Sequence, residues 1–184
     1  EWLPDQRLVL TANPHYWGKN PTNVTEIVYT PIKSQGTRLA ALLSGETDLV
    51  LDPSPQDLGR LRSNPAVKVM DGAENRTIFL GMDQHRDELV GSSVKGKNPL
   101  KDARVRKALY QAIDINAIQR VTLRGLGEAT GTLISPQVNG WTKKADARWP
   151  YDVAAAQKLL AEAGYPQGFE VDFACPNNRY INDE

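Results

Sequence analysis

A metal centre or a thiol nucleophile in this sequence would have to be assembled around His15, His85 and Cys175, the only two histidines and the only cysteine. Protein metal sites gather such ligands at short, recurring spacings. Here the three residues fall on three separate elements, so no metal site is expected and both histidines read as turn or surface residues. Nucleophilic catalysis fares no better, because Cys175 has no cysteine-protease pattern around it and no G-x-S-x-G elbow occurs. At the end of a predicted strand, Cys175 reads as a small packed side chain. The carboxylate pairs Asp87 with Glu88 and Asp183 with Glu184 are adjacent in sequence, and adjacent side chains point in different directions on either kind of element. Gly125-Leu126-Gly127 follows a helical pattern, lacks a third glycine, and has no Lys-Ser/Thr pair for phosphate. These residues predict no enzyme, no metal and no cofactor. The alternative from another class is a hydrolase using Cys175 or a buried carboxylate.

Charge removes further classes. Lysine plus arginine and aspartate plus glutamate both number 22, so the formal net charge is zero and the chain is no polyelectrolyte for nucleic acid. The basic residues Arg104, Arg106, Lys107, Arg120 and Arg124 lie on the polar sides of amphipathic patterns, as a solvated or docking face would. With 184 residues, 40% of them hydrophobic, the chain suffices for one ordinary domain or two small ones. No stretch reaches the ~20 apolar residues of a membrane helix. Both ends read as internal to a longer protein, so the lack of a leader is silent about export.

The elements that would position any site follow from periodicity. Residues 7–11 (RLVLT) and 26–30 (EIVYT) alternate as strands. Leu39, Leu42 and Leu43 then share a helical face that Gly45 ends, and 48–51 (DLVL) reads as a buried strand. Ser54-Pro55-Gln56-Asp57 starts a short helix through Leu58 and Leu61, after which 67–70 and 77–82 are strand candidates. The stretch 91–99 (GSSVKGKNP) is the most loop-like in the chain. Beyond it, Asp102 caps a helix carrying Val105, Ala108, Leu109, Ala112 and Ile113. Asp114 or Asn116 caps a second helix with Ile118 and Val121, stopping at Gly125. After an irregular stretch at 129–150, Asp152 caps a third helix with Val153, Ala156, Leu159, Leu160 and Ala163 buried, ended by Gly164 and Pro166. Residues 170–174 close as a strand.

Four segments carry a family resemblance. The run from Asn98 to Asp114 (NPLKDARVRKALYQAID) resembles the P-F/L-x-D-x-R-V-R-x-A-L-x-x-A-I-D segment of the peptide/nickel/oligopeptide-type extracellular solute-binding proteins, family 5. In the same order, 12–18 (ANPHYWG) is similar to the family's A-N-P-x-Y-W-G turn, 38–48 to its R-x-x-A-L-x-x-G-E-x-D unit, and 151–165 to its Y-D…L-L-x-x-A-G-Y helix. Together they span almost the whole chain.

The resemblance implies an α/β fold of the periplasmic binding protein type II kind, present in part as pieces of two lobes of mixed sheet with flanking helices. Residues 1–82 would belong to the first lobe, 83–99 to the crossover, and 100–184 to the start of the second, with 81–83 as hinge candidate. The implied function is the substrate-binding component of an ABC importer, delivering a small peptide or similar solute to the transmembrane permease subunits. Its implied location is the periplasm, or the outer face of the cytoplasmic membrane as a lipoprotein. Family ligands are touched by the strand entering the hinge, which points to Arg76, Thr77, Phe79 and Gly81 as ligand-binding residues. Arg76 could pair with a ligand carboxylate and Phe79 could form an apolar wall; an exposed arginine and a core aromatic are the plain alternatives. At 79–83 (FLGMD) the sequence departs from the family's F/Y-x-x-N pattern. The acidic residue that holds a peptide's amine in family members is expected beyond Glu184. The solute itself (peptide, nickel complex, haem or sugar) is left open by these motifs.

Overall fold

The computed structural model describes residues 1–176. Alternation and turn signals give three antiparallel strands near the start: β1 (Trp2–Leu3), β2 (Arg7–Thr11) and β3 (Glu26–Tyr29), paired in that order. The register sets Trp2 opposite Leu8 and Val9 opposite Val28. The pairing of β1 follows from the tight turn after Leu3, where the Gln6 amide donates to the Leu3 carbonyl at 3.1 Å. Next comes α1 (Gln35–Ser44), starting where the Ser34 hydroxyl accepts from the Thr37 amide and ending at Gly45 with φ 79°. That left-handed conformation favours glycine.

Contacts divide the chain into compact units, 1–53 and 54–184. In the first, Ala41 is the one fully buried apolar side chain among the described residues.

The second unit opens with a 3₁₀ turn (Pro55–Asp57) running into α2 (Leu58–Arg62), which buries Leu58 and Leu61. Another 3₁₀ turn (Pro99–Lys101) feeds α3 (Ala103–Gln111), followed by the single-turn α4 (Ile115–Ala117), a π-helical turn (Ile118–Thr122), and α5 (Val153–Glu162). Asp102, Asp114 and Asp152 cap α3, α4 and α5 as their positions predict, each accepting a backbone N–H at 2.8–2.9 Å. Helices α3 and α5 pack together over a core of Leu89, Leu100 and Val105, bordered by Met82, Leu109, Leu160 and Phe169.

The R-V-R motif has a structural reason. The Arg104 guanidinium donates to the carbonyl of Glu162, the last residue of α5, at 2.8 Å, while Arg106 donates to the carbonyls of Leu100 and Lys101 at 2.8 and 2.9 Å. Between them Val105 is completely buried. Both arginines therefore satisfy carbonyls that helix ends leave open.

Several expected strands are not formed. Residues 48–51, 67–70 and 77–82 find no ladder partner among the described residues, and 170–174 contribute only an isolated bridge between Val171 and Ser92. A strand exists by virtue of a neighbour, and alternation alone supplies none. The helical faces are also narrower than their periodicity suggests. Ala112, Ile118, Val121 and Val153 are exposed, and Gln111 takes the buried place beside Pro150 instead.

Candidate functional site

Ligand-contacting chemistry was expected on 76–81, a segment that the structure places outside any helix or strand. The Arg76 guanidinium lies 2.5 Å from the Glu74 carboxylate, with both side chains partly exposed. The Thr77 hydroxyl donates to the Leu133 carbonyl at 3.2 Å. Two residues earlier, the Ser135 hydroxyl donates to the Asn75 side-chain oxygen at 2.6 Å. Phe79 is 64% exposed, so it is no core aromatic of this chain. A Cβ added at Gly81 would meet nothing within 4 Å.

Residues 133–135 thus lie alongside 75–77, a neighbourhood that the sequence analysis missed. The stretch 129–150 has no helical or strand period to announce it. What holds it is local: the Asp146 carboxylate accepts from the Thr130 hydroxyl at 2.5 Å and from the Gly131 amide at 2.8 Å, closing a loop whose arm carries Leu133 and Ser135. An aspartate sixteen residues beyond a threonine is a signal too generic to find this in advance.

Downstream, Asp83 folds the chain back. Its side chain accepts from the amides of His85 and Arg86 at 2.9 and 3.2 Å and meets the Arg86 guanidinium at 2.5 Å. The bond from Arg86, then the two amides, hold its carboxyl below the ordinary 3.8. The Thr130 hydroxyl and the Gly131 amide do the same for Asp146, the Lys101 ammonium for Asp87, and the Arg104 guanidinium for Asp102. A carboxyl whose folded pKa is depressed contributes stability above its unfolded pKa and loses it as pH falls through the folded value. The expected result is a urea midpoint that is flat near neutrality and declines below about pH 4. Asp146→Asn should make that acid-side decline shallower; an unchanged profile would count against these pairings.

The remaining reactive candidates are not gathered. The His15 amide donates to Asn13 and the His85 amide to Asp83, each in a turn, and Cys175 is exposed. Among the described residues no group of three or more His, Cys, Asp or Glu is placed to hold a metal ion. Asp183 and Glu184 lie outside the described residues. No helix there is long and apolar enough to cross a membrane. A shallow hollow of about 180 Å³ beside Tyr110, Ile113, Arg148, Trp149 and Tyr151 includes none of Arg76, Thr77, Phe79 or Gly81.

Comparison with known proteins decides the family. The family model of the bacterial extracellular solute-binding proteins, family 5 Middle, matches residues 1–183. The chain belongs to that family. It is 30% identical over 174 residues to the heme-binding protein A of Haemophilus influenzae, covering 94% of this chain and 29% of that protein. It is 27% identical over 183 residues to the dipeptide-binding protein of Escherichia coli, covering 99% of this chain and 32% of that protein. Among solved structures it resembles the periplasmic binding protein DppA of Helicobacter pylori in complex with the peptide STSA, with TM-score 0.68, 25% identity, and 91% and 30% coverage. This family 5 chain therefore spans about a third of the length of the relatives it matches. Its fold is the partial α/β, type II periplasmic-binding-protein architecture that the motifs implied. The relatives are named for binding, which leaves the Cys175 or carboxylate hydrolase without support.

Proposed function

We propose that this chain is part of the solute-binding component of an ABC importer, which traps a peptide-like solute between two lobes and passes it to the membrane permease subunits. The family match over 1–183 carries the reading, supported by relatives that are named for binding a dipeptide and heme. The protein would work in the periplasm or at the outer face of the membrane. Residues 1–82 would serve the first lobe, 83–99 the crossover and 100–184 the second.

Arg76, Thr77, Phe79 and Gly81 are the proposed contacts, extended by Leu133 and Ser135, which lie beside Thr77 and Asn75. Phe79 is the sharpest of them, because an aromatic side chain that is mostly exposed has its ring free to form an apolar wall. Titration of the full-length protein with Met-Leu, heme and glutathione tests the reading. We expect one class to bind, and Phe79→Ala to weaken that binding about tenfold or more while leaving the melting temperature in place. No binding to any of the three, or binding indifferent to Phe79, would overturn it.

A further inference from the structure

Asn139 is the one asparagine in the sequence followed by glycine. An asparagine loses its side-chain amide when the backbone nitrogen of the next residue attacks the side-chain carbonyl carbon. The other described asparagines are poorly set up for that attack. Asn13, Asn20, Asn64 and Asn98 precede proline, whose nitrogen carries no N–H to give up. The side-chain oxygens of Asn75 and Asn116 are held by the Ser135 hydroxyl at 2.6 Å and the Arg148 guanidinium at 3.1 Å. Asn23 is followed by Val24, with its stiff branched side chain.

Asn139 is placed differently. Residues 138–141 form a turn in which the Trp141 amide donates to the Val138 carbonyl at 3.2 Å and Gly140 has φ 98°. Asn139 keeps a negative φ, which makes this a type II turn, and the positive φ at its third residue favours glycine. Both residues are exposed, and a Cβ added at Gly140 would meet nothing within 4 Å. Among the described residues, neither the Asn139 side chain nor the Gly140 amide makes a hydrogen bond. A type II turn holds ψ of its second residue at about +120°, so the turn has to open before the nitrogen reaches the side chain. Across it there is one backbone bond, on exposed chain, where local opening costs least.

We propose that Asn139 is a spontaneous modification site, converted through a cyclic imide to isoaspartate and aspartate while the protein stays folded. The Gly140 amide gives its proton to solvent base, its nitrogen bonds to Asn139 Cγ, and the side-chain nitrogen leaves as ammonia. Water then adds to either carbonyl of the five-membered ring and one C–N bond breaks. One water is consumed and one ammonia released. Opening at the α-carbonyl leaves isoaspartate, in which the chain runs through the side-chain carboxyl with one more methylene. Either product adds a carboxylate to a chain whose 22 acidic and 22 basic residues otherwise balance. The change stays local, because Asp146 clasps Thr130 and Gly131 and so closes the loop that carries Asn139. None of this depends on which solute the protein binds.

Peptide mapping by mass spectrometry, on full-length protein incubated in mildly alkaline buffer, is the measurement. Conversion at Asn139 should run roughly tenfold faster than at Asn23, Asn75 or Asn116, as expected where the following residue has no Cβ. An isoaspartate-specific methyltransferase should label the aged protein at 139. Isoelectric focusing should show a band one charge more acidic, and the melting temperature should stay in place. Asn139→Gln should abolish that band, because the longer side chain must close a six-membered ring and does so far more slowly. Asn139 left intact while other asparagines convert, or conversion at one common rate, would overturn the site. Aspartate without isoaspartate would mean direct hydrolysis and overturn the cyclic route. Conversion seen only after the folded signal is lost would assign the reaction to unfolded chains, and would equally sink the proposal.

Discussion

Leu100→Ala is expected to cost about 2–5 kcal/mol of unfolding free energy, the range for truncating a buried leucine whose surroundings collapse only in part. Leu100 is 6% exposed and joins Leu89 and Val105 in the core beneath α3. Two further consequences enlarge the effect. The Leu100 amide is the group that Asn98 caps, and the Leu100 carbonyl is one that Arg106 holds at 2.8 Å, so a shifted backbone strains both bonds. Lys158→Ala makes the control, since this side chain is 78% exposed and reaches Glu162 only at 3.9 Å. Surface pairs of that kind contribute about 0.3–0.5 kcal/mol. Urea denaturation of the full-length protein compares the two, and similar costs would show that the core has been misplaced.

The second large effect concerns solute binding. The 184-residue chain by itself should bind peptides with negligible affinity, while the full-length protein binds them, a difference of several decades in Kd. Closure is favoured only by as much as the solute prefers the closed state over the open one. A chain spanning about a third of its relatives' length offers one part of the surroundings that the solute needs in that state. Calorimetry with Met-Leu on both proteins is the measurement. Tight binding by the 184-residue chain would mean that 76–81 and its neighbours form a complete site, contrary to the proposal.

What sequence reading could recover here was set by how local the determining physics is. Asp102, Asp114, Asp152, Gly45 and Gly164 act within one helical turn, so residue type and spacing suffice to place them. Strands at 67–70 and 77–82 were equally periodic, yet a strand needs a partner that periodicity cannot name. Arg104 and Arg106 looked like a solvated basic face because charge was legible and the carbonyls they serve were not. One of those carbonyls lies 58 residues away in the chain. The same limit hid Leu133 and Ser135, which reach Thr77 and Asn75 through tertiary folding. Arg76, Thr77, Phe79 and Gly81 came from family resemblance, and their part in binding is a matter for the titrations above.

The small sheet has a consequence for how such a protein is made. Strand β3 lies at the end of the β1-β2-β3 order, and Ile27, Val28 and Tyr29 are each more than half exposed. An apolar edge with open amides is a template on which other chains can stack into aggregates. Among the described residues no strand pairs with the outer side of β3, which leaves this edge open to such stacking.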